Sequence, residues 1–132
     1  MATAGDYYTI VLKEPHLEWG ELRYTGSRDI IYGEGYIPIP AYIARAFDLY
    51  NSNSSSIGLG YNIFNCTSVD GFFRGQLKAG GSSTGGSIYA KQFHGYGDLK
   101  ALGIWFAHCG AVPGDRVEVK WTSTTDIVIR LM

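Results

Sequence analysis

The chain has 132 residues, 45% of them apolar, which supports one packed core and is too apolar for a disordered chain. A formal net charge of −1 and a sequence pI of about 6.3 argue against an indiscriminate phosphate binder. No run approaches the roughly 18 apolar residues of a membrane span, and residues 1–8 lack a basic start and an apolar stretch. These features predict one domain over residues 1–132, cytoplasmic, with no membrane partner.

In chain order, residues 7–12 (YYTIVL) are β-branched and aromatic and read as a strand. A long polar connection follows, through Trp19, to about Gly35, longer than a hairpin needs. Residues 36–40 (YIPIP) are extended, because a residue that precedes proline avoids the helical region. Pro40 can then open a helix over residues 41–50, with Ile43, Ala44, Phe47 and Tyr50 on one stripe. Polar residues 51–56 end it. Residues 57–64 and 72–77 read as strands, residues 79–86 as a glycine-serine loop, and residues 87–93 as a further strand. Asp98 is placed to cap a helix carrying Leu99, Leu102, Trp105, Phe106 and Cys109, and Gly110 supplies its stop. Residues 116–121 (RVEVKW) alternate strictly, with Val117, Val119 and Trp121 inward, and residues 127–131 make the last strand. Short strands with two short helices predict a mostly β fold: a seven-stranded open pseudobarrel, its ends capped by the helices.

Charge is unevenly spread. Residues 1–22 carry Asp6, Glu14, Glu18 and Glu21 against Lys13, a balance of −3. Residues 71–100 carry Arg74, Lys78, Lys91 and Lys100 against Asp98, a balance of +3. One face can therefore be positive while the molecule is not. Cys66 and Cys109 have no partner at zinc spacing and read as buried thiols, and no cofactor is expected. His16, His94 and His108 are scattered and receive no catalytic role. Trp19 and Trp105 read as core anchors, whereas Tyr24, Tyr32 and Tyr36 alternate with polar residues in a way that suits base stacking.

Three blocks carry a likeness. The first is Glu18-Trp19-Gly20-Glu21-Leu22-Arg23 followed by GYIPIP at residues 35–40 with Ile43-Ala44. The second is LKALGIWF at residues 99–106. The third is GDRVEV at residues 114–119, ending in Asp126-Ile127-Val128-Ile129. In this order they resemble the pseudobarrel DNA-binding domain of plant transcription factors called the B-three domain. They are more closely similar to the DNA-recognition domains of NgoFVII- and BfiI-type restriction endonucleases. The likeness spans about residues 7–131.

That resemblance implies two arms gripping the major groove of double-stranded DNA. Its first arm falls at about residues 23–36, with Arg23, Ser27, Arg28 and Asp29 as contacts. The second falls at about residues 74–92, with Arg74, Gln76, Lys78, Ser82, Ser83, Thr84, Lys91 and Gln92. Arginine can pair with guanine and glutamine with adenine, while lysine, serine and backbone amides hold phosphates. It further implies the recognition domain of a restriction endonuclease or related bacterial defence protein. Such a module is no enzyme by itself and leaves cleavage to a separate nuclease domain or partner chain.

Two other readings remain open. Glu118-Val119-Lys120 has the form of a metal-dependent nuclease site, with Asp98 or Asp115 as further carboxylates. The many tyrosines also suit a barrel that binds a small molecule or carbohydrate in a concave aromatic pocket.

Overall fold

The strict alternation of residues 116–121 becomes a regular strand, with Val117, Val119 and Trp121 buried and Arg116 and Lys120 exposed. The computed structural model describes residues 1–13, 35–51, 54, 57–81 and 88–132. Among them lie β1 (Tyr7–Val11), β2 (Ile37–Pro38), α1 (Ala41–Ala46), β3 (Ile63–Ser68), β4 (Arg74–Gly80), β5 (Gln92–Gly95), α2 (Ala101–Cys109), β6 (Arg116–Trp121) and β7 (Asp126–Leu131).

The seven strands form one sheet in the order β1-β6-β7-β3-β4-β5-β2. Every pair is antiparallel except β3 with β7. The sheet curls until its two edges, β1 and β2, come close. Across that seam the Tyr8 hydroxyl donates to the Pro38 carbonyl at 3.1 Å. Burial pushes the Tyr8 pKa well above its ordinary value, so the hydroxyl keeps its proton for this bond. Pro38 has no N–H to give and sits on an edge strand, where that costs no ladder bond. The fold is thus the expected mostly β open barrel, with one unsealed seam.

Aromatic side chains fill the interior. The Trp121 ring lies 5.2 Å from Phe47, 5.8 Å from Phe64, 6.3 Å from Tyr8 and 6.4 Å from Phe93. Helix α1 buries Ile43 and Ala44, and α2 buries Leu102, Trp105 and Phe106. One continuous core results.

Several boundaries differ from expectation because specific hydrogen bonds and backbone conformations intervene. Helix α1 stops at Ala46 because Asp48 takes a left-handed conformation, φ 54°, and Tyr50 leaves to bridge with Tyr89. Residues 57–62 turn instead of extending: Gly58 and Gly60 have φ of 108° and 87°, and the Asn62 side chain accepts the Gly58 N–H at 2.6 Å. Strand β4 starts two residues late because the N–H groups of Phe72 and Phe73 bond to the side chains of Asp70 and Ser68. Strand β5 is likewise displaced, from the expected residues 87–93 to Gln92–Gly95, as Ala90 donates instead to the Leu49 carbonyl at 2.9 Å. Asp98 accepts the Lys100 N–H at 3.0 Å, so α2 begins at Ala101, and Gly110 closes it in the left-handed region as expected. Cys66 is buried but Cys109 only partly so, and both are free thiols.

Asp70 pins the β3–β4 turn to α2. It accepts from the Ser68 hydroxyl, the Phe72 N–H at 2.9 Å, the Trp105 indole N–H at 3.0 Å and the Cys109 thiol at 3.2 Å. These bonds favour the ionised form, led by that from Ser68, and hold the Asp70 carboxyl well below the usual carboxylate range. The same contact, after burial, raises the Cys109 thiol to about 11. A depressed folded value means that the stabilisation is complete above the unfolded value of about 3.9 and fades as pH falls below it. Urea midpoints measured from pH 6 down to pH 2.5 should therefore drop for the native chain. Asp70→Asn should begin lower at pH 6 and lose less on acidification. Parallel acid limbs for the two proteins would contradict this account.

Candidate nucleic-acid interface

The outward residues of β3, β4 and β5 form one continuous face. Pairing sets Asn65 opposite Gln76, Thr67 opposite Arg74, and Lys78 opposite His94. Leu77, Ala79 and Phe93 point the other way and are buried. The burial of alternate residues therefore holds Arg74, Gln76 and Lys78 outward. These three strands contain no aspartate or glutamate, and Arg74 and Lys78 are their charged residues. The β6 and β7 strands instead mix signs, with Arg116, Glu118, Lys120, Asp126 and Arg130.

Amides continue the face. Gln76 Nε2 donates to Asn65 Oδ1 at 3.0 Å, and Asn65 Nδ2 donates to Asp126 Oδ1 at 2.9 Å. Lys78 Nζ stands 5.9 Å from the centre of the Tyr96 ring, within cation–π range. At the end of the face nearest α2, Phe72, Arg74, Gln76, Tyr96, Asp98 and Ile104 help to line an open groove of about 420 Å³.

The described residues that border the two long connections approach β5 from opposite ends. The first re-enters at Gly35. Ile37 pairs with Phe93, so residue 35 approaches β5 from its Gly95 end. A Cβ on Gly35 would stand 3.0 Å from Gly103 Cα in α2, an approach that suits a glycine. The second connection leaves at Gly81 and returns at Ile88, beyond the Gln92 end. Asn51, itself buried, holds both of its stems: its backbone N–H donates to the Ile88 carbonyl at 2.7 Å and its side chain to the Gly81 carbonyl at 3.2 Å. The four residue steps from Lys91 to Gly95 span about 13 Å, against a major groove about 12 Å wide.

No protein-family model, curated protein or solved structure matches the chain.

The structure gathers some of the expected contacts and redistributes others. Arg74, Gln76 and Lys78 share the β4 face, and Gln92 lies outward on β5 beside Pro38. Lys91 is exposed just before β5, where its N–H bonds to the Gly80 carbonyl. Residues 74–80 and 92 therefore belong to the barrel wall, not to a projecting arm, because Leu77, Ala79 and Phe93 anchor them in the core. Arg23, Ser27, Arg28 and Asp29 lie outside the described residues, as do Ser82, Ser83, Thr84 and Trp19. Asn51, Asn65, His94, Tyr96 and Asp126 were not expected at the site. Asn65 and Asp126 are brought in by the parallel pairing of β3 with β7, which no local pattern announces.

The carboxylates of the alternative nuclease site are engaged separately. Glu118 pairs with Arg130 at 3.4 Å, Asp115 accepts the Val112 N–H at 3.0 Å, and Asp98 holds the start of α2. Among the described residues, no group of three His, Cys, Asp or Glu side chains is arranged to hold a metal. Likewise, no described helix is long and apolar enough to cross a membrane.

Proposed function

We propose that this chain binds double-stranded DNA in a sequence-specific way, laying the β3–β4–β5 face against a groove. The observation that carries the reading is that strands β3, β4 and β5 themselves hold no acid and present Arg74, Lys78 and Gln76 in register with Asn65 and His94. Cations there meet phosphates, and the planar amides and the guanidinium can address base edges. A slightly acidic molecule with a local positive face loses indiscriminate affinity and keeps an oriented one. The ordered sequence blocks that resemble restriction-endonuclease recognition domains support a role as the reader in a restriction or related defence protein, with cleavage supplied by another domain or chain.

Selection from a random pool of duplex oligonucleotides tests the reading. It should enrich a motif of roughly 5–6 base pairs, the reach of one module along the groove. Affinity for the enriched duplex should fall steeply between about 50 and 200 mM salt, as phosphate contacts release counterions. No enriched motif, with no binding at the lower salt, would dismiss it.

A further inference from the structure

We propose that Asp126, acting through Asn65, fixes the amide of Gln76 so that this face reads adenine. The inference rests on the duplex-binding reading and adds a base and two positioning residues to it.

Hydrogen-bond direction sets the relay. An ionised carboxylate only accepts. Asp126 Oδ1 therefore obliges Asn65 to present its NH2 group, at 2.9 Å. The Asn65 carbonyl then faces the other way, toward β4, and accepts from Gln76 Nε2 at 3.0 Å. The chain of bonds runs in a single sense and settles the orientation of both amides. The carboxylate is itself anchored in the β6–β7 turn: the Thr125 hydroxyl donates to Oδ1 at 3.2 Å, and the Asp126 N–H bonds to Ser123 Oγ at 3.2 Å. Register supports it as well, since Asn65 stands directly opposite Gln76 on one side and Asp126 on the other.

What Gln76 retains is Oε1 and one further N–H on the same planar group. Adenine in the major groove presents an N6 donor beside the N7 acceptor, which this pair satisfies together. Guanine presents two acceptors, cytosine a donor, and thymine an acceptor with a methyl group. None of these uses both atoms of an amide whose sense is fixed. Without Asp126 the two amides can turn over together, and the order of donor and acceptor is no longer set.

The test is duplex selection on four proteins: the native chain, Gln76→Ala, Asp126→Asn and Asn65→Ala. Each variant is first checked by thermal melting. The native motif should contain one A·T pair whose replacement by G·C weakens binding about tenfold or more. Gln76→Ala should erase preference at that pair, and Asp126→Asn and Asn65→Ala should each flatten it several-fold while the rest of the motif stays in place. Asp126→Asn should also tighten binding to all duplexes, because a negative charge leaves the face. Tightening alone, with the adenine preference intact in both relay variants, overturns the proposal and leaves duplex binding standing. So does a motif in which no A·T pair responds to Gln76→Ala. A native chain that enriches no motif overturns both readings.

Discussion

Trp121→Ala should destabilise the chain by about 3–5 kcal/mol, the range for removing a large aromatic from a packed core. The side chain is completely buried and touches rings contributed by β1, β3, β5 and the end of α1. Its removal opens a cavity where the curled sheet meets itself, and neighbours held in separate strands cannot collapse into it. Trp121→Phe should cost less than about 2 kcal/mol. The Trp121 indole N–H has no hydrogen-bond partner among the described residues, so phenylalanine relieves an unpaired buried donor while forfeiting some contact. Urea unfolding at neutral pH measures both. Equal losses for the two variants would mean that the ring system contributes little beyond its polar edge. With total stabilities of about 5–15 kcal/mol in domains of this kind, the alanine variant should be visibly close to unfolding.

What could be read in the sequence and what could not follow from the range of the interactions. The period of two in residues 116–121 is local, and β6 appears where that period places it. Gly110 as the stop of α2 is local too. The beginnings of β4 and β5 were hidden because long-range bonds decide them. Phe72 and Phe73 have strand-like chemistry, yet their N–H groups go to Asp70 and Ser68, and Asp70 is held by Trp105 from a helix more than thirty residues away. The apolar stripe that suggested ten helical residues from Ala41 was real for Ile43 and Ala44. It failed at Tyr50, which a pairing with Tyr89 recruits. At the site, the positive segment between residues 71 and 100 was visible as composition. Its neutral half was not: Asn65 and Asp126 become neighbours of Gln76 only through the crossover that sets β3 beside β7 in parallel.

Arg74→Ala should weaken binding to the selected duplex by roughly 5- to 150-fold, which corresponds to the 1–3 kcal/mol of one good paired base contact. Arg130→Ala should change it less than twofold. The contrast is physical. Arg74 is exposed on β4, two residues before Gln76, and no carboxylate among the described residues pairs with it. It can turn to DNA without giving anything up. Arg130 faces out from β7 and is already engaged with Glu118 at 3.4 Å, in register across β6 and β7. Moving it to a phosphate would uncover an acid beside the same phosphate. Salt dependence then separates two roles for Arg74. A phosphate contact should lower the slope of log affinity against log salt by about 0.9 and weaken all duplexes alike. A base contact should leave that slope nearly unchanged and relax the motif at one position. Arg74 shares a strand face with Gln76 and lines the same groove, which favours the second result. Equal losses for Arg74→Ala and Arg130→Ala would move the interface off the β3–β4–β5 face altogether.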